Sequence, residues 1–469
     1  MSATSFDVRI WKTETYARKS GKGYRVPWRV ETKRFSRAFQ TASLAESFRA
    51  SLVTAARKGE AFIVESGVPL SMASQTAGPP LTWFEHAMDF MDAKWPDAAP
   101  KHRKSTANGL VTVTVALVRS DAEFSEAALL RKALRGWAFN PPARRRSPDP
   151  PEHLADAIEW IRRESLLLND LADPDVLRRA LTAIGRKLDG TVAATSTIAV
   201  KRAALSGALV LAVEQGRLPG NPLKQVKTKR QRQVTAIDVR SVANPQQATD
   251  LLDAVKHIEP SLYAYFACMY FAALRPAEAR LLHDRDCMLP DSGWGQLVLA
   301  GSYQDPGSAW TDDGQPGEIR GLKHRNTKET RPVPADPQLV GALRWHIDRF
   351  GVGAGGLLFP TRIGRFGRPV SPPFGNPVSM KTVYRVWAAA RSNALTEQQV
   401  ASPLAARPYD LRHACVSTWL EAGVPSARVA AWAGHSVAVL HRVYAHCLDG
   451  REDEARRRVD VFRNGPSDA

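Results

Sequence analysis

The sequence predicts a multidomain α+β protein, mainly α-helical with small β-sheets, and three observations carry that expectation. A chain of 469 residues exceeds what one ordinary hydrophobic core supports, so two or three domains are expected. Strand-like alternation is confined to short stretches, and helical spacing dominates elsewhere. The run Gly216-Arg217-Leu218-Pro219-Gly220-Asn221-Pro222 stops a long helical region abruptly, as a domain boundary would.

The first sixty residues hold 13 Lys and Arg against five acids. Tyr24, Val26, Trp28 and Val30 alternate with Arg25, Pro27, Arg29 and Glu31, the period of a half-buried strand. Val8 and Ile10 suggest a strand before it, and Phe35 and Phe39 one after it. Ser43-Leu44-Ala45-Glu46 has the capping-box pattern, and Leu44, Phe48 and Leu52 follow at helical spacing. Residues 1–75 are therefore expected to form an N-terminal three-stranded sheet plus helix. Its outward arginines, Arg25 and Arg29 among them, suit a DNA groove, or simply keep a small sheet soluble.

Residues 80–222 read as helical. Trp83, Ala87, Phe90 and Met91 form one stripe, Leu129, Leu130, Leu134 and Trp137 another, and residues 199–213 a third. The break 141–148, with its prolines and Arg144 to Arg146, reads as a solvated loop. A basic run follows at 223–243, including Lys227, Lys229 and Arg230, and reads as an exposed linker lying along a polyanion. From 244 to 469 a mixed domain is expected. Helices are signalled at 249–257, 261–274, 380–392, 411–422, 427–433 and 438–446, and around Leu339, Leu343 and Ile347. A strand is expected at 297–300 and a hairpin at 317–334.

Charge is the compositional outlier. Lys plus Arg number 65 against 47 acids, a formal net charge of +18 and a pI near 10.0. Such an excess favours a polyanionic partner, because neutralised phosphates release counterions and supply affinity without sequence information. The four cysteines, Cys268, Cys287, Cys415 and Cys447, form no CxxC pair, so neither a disulfide framework nor a zinc site is expected. No signal peptide opens the chain, and no apolar run approaches the roughly 18 residues that span a bilayer. The expectation is a cytoplasmic, nucleoid-associated protein with no membrane partner.

Four short phrases concentrate groups suited to a phosphate. Ala273-Leu274-Arg275-Pro276-Ala277-Glu278 sets an arginine between an apolar helix and a Pro-initiated one, with an acid three residues on to orient it. Tyr409-Asp410-Leu411-Arg412-His413 gathers a phenol, a guanidinium and an imidazole in one turn. Ala433-Gly434-His435-Ser436 is a helix stop with a histidine at the turn, and Arg442-Val443-Tyr444-Ala445-His446 closes the series. Singly, each is an ordinary structural feature of a helix end.

Together, and in this order, they resemble the tyrosine recombinase (phage integrase) family. Its catalytic domain shows Gly-Leu-Arg-x-x-Glu, a hairpin lysine, His-x-Leu-Arg-His, Leu-Gly-His and, nine residues beyond that last histidine, the nucleophilic tyrosine. Arg275 and Glu278 match the first phrase, Arg412 and His413 the second, His435 the third, and Tyr444 falls at the ninth residue. The match spans roughly 200 C-terminal residues. An N-terminal sheet and a helical domain leaving through Leu-Pro-Gly-Asn-Pro are also similar to integrases that bind arm-type and core-type DNA sites. Trp-Ala-Gly-His-Ser resembles integrases of actinobacterial mobile elements. Two positions depart from the pattern. Tyr409 stands where the family has histidine, and a phenol is a poor proton shuttle at neutral pH. The lysine is Lys323 or Lys328. Lys323, where the first hairpin strand should end, is preferred, and it makes the hairpin about two residues longer than usual.

What the resemblance implies is a site-specific recombinase that cleaves and rejoins DNA through a 3′-phosphotyrosyl intermediate, integrating and in reverse excising a mobile element. Arg275 and Arg412 would clamp the nonbridging oxygens, with His435 and Tyr409 supporting the transition state. Tyr444 would attack, Lys323 would protonate the departing 5′ oxygen, and Glu278 and His413 would support. No cofactor and no metal are implied. The implied partners are double-stranded DNA attachment sites, a homotetramer on DNA and DNA-bending or directionality proteins. Residues 451–462 would dock on a neighbouring protomer or form a solvated helix. A binding regulator that has lost catalysis and a relaxing topoisomerase remain the alternatives.

Overall fold

A computed structural model describes residues 3–18, 21–39, 41–75, 81–119, 121–226, 237–322, 329–364 and 368–444, together with Arg456, Val459 and Arg463. The chain divides into two compact units, Met1–Arg230 and Gln231–Ala469.

The first unit opens with strands β1 (Thr4–Ser5), β2 (Val8–Ile10), β3 (Glu14–Arg18), β4 (Gly21–Val30) and β5 (Lys33–Phe39). β4 is central, with β5 on one side and both β2 and β3 on the other. The sheet is thus three ribbons wide, as the alternation predicts, but four strands build it. The interruption falls beside Pro27. Its carbonyl accepts from Trp11 N at 3.1 Å, but proline has no N–H with which to continue the ladder. Val26, Trp28 and Val30 face inward and are buried against helix α1 (Ala42–Arg57). That helix starts two residues before the expected box. Thr41 is its N-cap, accepting from Leu44 N, so Ala45, Phe48, Leu52 and Ala55 meet the sheet while Leu44 is exposed. The short strand β6 (Phe62–Ile63) pairs with β1, and helix α2 (Leu70–Gln75) follows.

The helical part contains α3 (Trp83–Lys94), α4 (Pro100–Ala116), α5 (Ala127–Ala133), α6 (Pro141–Arg146), α7 (Glu152–Glu164), α8 (Pro174–Ile184) and α9 (Thr195–Glu214). Thr82 and Glu85 cap α3 reciprocally, burying Trp83, Ala87, Phe90 and Met91. The stretch expected as a loop at 141–148 is helix α6. Asn140 caps it and Pro141 and Pro142 occupy its first turn, where proline loses no hydrogen bond. Arg144 is paired to Asp92 at 2.9 and 3.0 Å. A second correction concerns α9, which is long and apolar enough to cross a membrane by length and composition. It carries Lys201 and Arg202 and buries Ala204, Leu205, Ala208, Leu209 and Ala212 along one face, so the helix packs by a single stripe and 28% of its apolar window is buried.

In the second unit Ile237 and Val242 already pack onto the core, ahead of residue 244. Its elements are α10 (Pro245–Ile258), α11 (Tyr263–Phe271), α12 (Pro276–Ala279), β7 (Cys287–Met288), β8 (Gly295–Leu299), β9 (Gly301–Gln304), β10 (Glu318–Gly321), β11 (Arg331–Ala335), α13 (Pro337–Phe350), α14 (Met380–Ala394), α15 (Glu397–Ala401), α16 (Asp410–Glu421), α17 (Ser426–Ala433) and α18 (Val437–Val443). The expected hairpin at 317–334 does not form, because β10 and β11 do not pair with each other. β10 pairs antiparallel with β9, and β11 with β8. Both therefore answer one long, interrupted strand. The interruption is at Ala300, and the next residue, Gly301, already pairs with Gly321 so closely that a Cβ there would sit 2.6 Å from the carbonyl oxygen of Arg320. β11 is the edge of the sheet β11-β8-β7, which is where Pro332 and Pro334 are tolerated.

Candidate active site

The four phrases meet at helix termini around the buried helix α11. After Phe271 the chain passes through Ala273, held at φ +49°. It then re-enters a helix through Pro276, leaving Arg275 extended in the cap position. Glu278, one turn on, accepts from Arg275 N at 2.9 Å and from Arg275 Nη1 at 2.7 Å. The same carboxylate takes both ends of the Arg331 guanidinium, at 3.1 and 2.8 Å. Glu278 and Arg331 are 3% and 2% exposed. Burial opposes ionisation of Glu278, but Arg331 and Arg275 overcome it and hold its carboxyl down to about 2.

Arg331 joins this cluster through Glu278 and is absent from the residues that the sequence singles out. The signal was present, since Arg331, Val333 and Ala335 all point inward on β11. Period-2 alternation thus sets a charge on the buried side of the strand, where it must find a partner.

Arg412, in the first turn of α16, is fully buried. Its Nη1 donates to Ala273 O, and its Nη2 to Ala433 O and to His435 Nε2, the last at 2.8 Å. Gly434 ends α17 in the left-handed conformation at φ +64°, and its carbonyl accepts from Arg275 Nη2 at 2.7 Å. The turn between α17 and α18 therefore joins both sequence-predicted arginines. Burial first, then Arg412 and Arg275, push the His435 imidazole down to about 3. His435 is neutral at pH 7. Its Nε2 accepts from Arg412, so its proton sits on Nδ1, which is buried with no hydrogen-bond partner. Arg412 Nε is in the same condition.

Tyr444, fully buried at the end of α18, lies with its ring 6.3 Å from that of His435, nearly parallel. Its hydroxyl is 2.8 Å from His413 Nδ1. Tyr409, next to α16, stacks edge-on to His413 at 5.0 Å and lies 5.9 Å beneath the Arg412 guanidinium. Arg275, Glu278, Tyr409, Arg412, His413, His435 and Tyr444 thus share one locality. Lys323 and Lys328 lie outside the described residues, as do Lys227, Lys229 and Arg230. Arg25 and Arg29 are on the outward face of the N-terminal sheet, where they pair with Glu14 and Asp7. Among the described residues no group of three or more His, Cys, Asp or Glu side chains is placed to hold a metal ion.

Electrostatically the site is unbalanced. Among the described residues three guanidiniums, Arg275, Arg331 and Arg412, gather around the carboxylate Glu278, an excess of two positive charges that the neighbouring Arg407–Asp410 pair leaves unchanged, flanked by neutral histidines. Ions so far removed from water require compensation. The unpartnered nitrogens of Arg412 and His435 leave donors for an anion to fill.

No protein-family model matches the chain, and no curated protein matches it. Among solved structures it is similar to the Tn1549 transposon integrase in complex with circular intermediate DNA. Identity is 15%, with 68% of this chain and 97% of that chain covered and a TM-score of 0.41. It is also similar to the XerH site-specific recombinase bound to its difH substrate, at 11% identity, with 77% and 95% covered and a TM-score of 0.40. The catalytic domain of bacteriophage HP1 integrase is 15% identical, with 48% and 98% covered and a TM-score of 0.29. At such identities and scores the weight falls on the side chains already described.

Proposed function

We propose that this chain is a site-specific DNA recombinase that cuts and rejoins strands through a 3′-phosphotyrosyl intermediate, integrating and in reverse excising a mobile element. The observation that carries this reading is the pairing of a buried phenol with two surplus positive charges. A phosphodiester brings one negative charge, and attack by a phenolate raises it to two in the pentacoordinate transition state. Arg275, Arg331 and Arg412 less Glu278 supply the matching excess. Preorganised charge of this kind stabilises the transition state more than the substrate.

In this scheme the Arg275 and Arg412 guanidiniums hold the nonbridging oxygens, and His435 donates through Nδ1. Tyr444 Oη attacks phosphorus in line, and the bond to the 5′ oxygen breaks. That oxygen takes a proton from a lysine of the segment after β10, Lys323 before Lys328. The phosphotyrosine conserves the energy of the broken bond, so a 5′ hydroxyl from another strand reverses the step onto a new partner. Two duplexes with two cuts each require four protomers on double-stranded attachment sites. DNA-bending or directionality proteins are natural accessories, and the enzyme acts where the DNA is, in the nucleoid. The +18 net charge and the basic stretch 223–243 supply sequence-independent affinity.

A nicked attachment-site duplex, whose 5′ fragment diffuses away after cleavage, tests the reading. Protein should become covalently trapped, and Tyr444→Phe should abolish trapping while binding persists. Binding without an adduct would indicate a regulator, and relaxation of any supercoiled plasmid a topoisomerase.

A further inference from the structure

The family pattern puts a histidine three residues before the second arginine, and here Tyr409 occupies that place. We propose that His413, one residue beyond Arg412, takes over the proton handling, and that its Nδ1 is the general base that receives the phenolic proton of Tyr444 during strand cleavage. This deepens the recombinase reading and rests on it.

Geometry is the first ground. His413 Nδ1 is 2.8 Å from Tyr444 Oη, within the reach required of a base and its proton donor. Tyr444 is fully buried, so bulk water does not collect its proton in this arrangement. The neighbouring groups are unsuited. The Nε2 of His435 is engaged by Arg412, which leaves that ring a donor only. Tyr409 is a phenol of the same kind as the one to be deprotonated, and it is stacked edge-on against His413. Arginines do not accept protons. His413 alone among these named side chains combines contact with Tyr444 Oη and a free lone pair.

Electrostatics agree. Burial first, and then Arg412 and Arg407, push the His413 imidazole down to about 4, so at neutral pH the ring is uncharged, and in its Nε2–H tautomer Nδ1 accepts from the Tyr444 hydroxyl. The same neighbours make the imidazolium costly in the empty site. A bound phosphodiester, and then the doubly negative phosphorane, offset that cost, so His413 becomes more basic as negative charge builds beside Arg412. The step balances. The Tyr444 O–H bond breaks, its proton goes to Nδ1, and its electron pair forms the O–P bond. The P–O5′ pair leaves with the 5′ oxygen, which is protonated by the lysine ammonium of the segment 323–328. On religation the imidazolium returns its proton to the tyrosine.

The test is single-turnover cleavage of a nicked duplex by the full chain, with Tyr444 either natural or replaced by a ring-fluorinated tyrosine whose phenol ionises more readily. His413→Gln and His413→Phe are compared with the parent. The expected result is a loss of about a hundredfold in both variants, of which the fluorinated nucleophile restores at least about tenfold while changing the parent only a few-fold. The differential rescue distinguishes a base from a structural prop, because a misfolded variant is not rescued by a more acidic phenol. Cleavage by both variants within a few-fold of the parent, or a loss that the fluorinated tyrosine leaves untouched, would overturn the assignment. A parent protein that forms no adduct would sink the recombinase reading itself, so the two failures are told apart.

Discussion

Arg331 grips both oxygens of Glu278, the carboxylate that also orients Arg275, in an ion pair almost wholly removed from solvent. The strand β11 thereby fixes the orientation of Arg275 through a shared carboxylate. Arg331→Met should leave Glu278 half-compensated and cost about 3–5 kcal/mol of stability, as breaking one partner of a buried pair does. Denaturant melts would measure it. Cleavage should fall about tenfold, with Arg331→Lys intermediate because it keeps the charge but not the fork. A variant as stable and as fast as the parent would remove Arg331 from the site.

Two backbone positions make opposite predictions. Gly434 adopts φ +64°, and a Cβ there would run into Arg331 Nη1 and sit 3.3 Å from Arg275 Nη1. Gly434→Ala should lose about 1–2 kcal/mol to the left-handed conformation alone and displace both guanidiniums, lowering adduct yield. Ala273 holds φ +49° where the family phrase has glycine. Ala273→Gly should relieve that strain and raise the melting temperature, with cleavage retained.

Acid should destabilise the second unit through its buried histidines. His346 donates through Nε2 to Leu358 O at 2.7 Å inside the core, and burial pushes it down to about 4. The unfolded chain binds this proton near pH 6.5 and the folded chain only near 4. The contribution is therefore complete above pH 6.5 and is lost as the pH falls from about 6.5 to about 4, up to about 3 kcal/mol. Urea melts of the parent and of His346→Gln at pH 7 and 4.5 should show the smaller drop in the variant. Equal drops would mean that other groups carry the dependence.

The outward face of the N-terminal sheet aligns Arg9, Arg29 and Arg34 in one rung across its three ribbons, with the Arg9 and Arg34 guanidiniums 5.9 and 5.7 Å from the Trp11 ring. If this face lies on DNA phosphates, the double variant Arg9→Ala/Arg34→Ala should flatten the plot of log affinity against log salt by about 2. Anisotropy titrations between low and moderate salt would show it. Parallel lines would place the DNA elsewhere.

Much of the site was legible because its residues sit in short phrases at helix ends, where type and spacing are local properties. Arg275 with Glu278, and Arg412 with His413, are each set by a single turn. Arg331 was less visible because its partner lies 53 residues away, and pairing at that distance follows strand register rather than spacing. The register of β10 and β11 was misjudged for the same reason. The strand β8–β9 serves both, and nothing local distinguishes that from a hairpin. Helix α6 was hidden by its own prolines, which break a helix in its interior and begin one at its first turn. The contact between His413 and Tyr444 depends on how the start of α16 and the end of α18 lie beside each other, which no phrase encodes.

The central claim is that the guanidiniums neutralise a phosphate attacked by Tyr444, and a methylphosphonate at the scissile position tests it most directly, since one nonbridging oxygen and its charge are replaced by a methyl group. Arg275→Ala should be nearly inactive on the natural phosphodiester yet form the Tyr444 adduct on the uncharged substrate. If the folded variant cleaves the natural substrate as the parent does, or gains nothing from the methylphosphonate while the parent cleaves it, the clamp is not what this site provides.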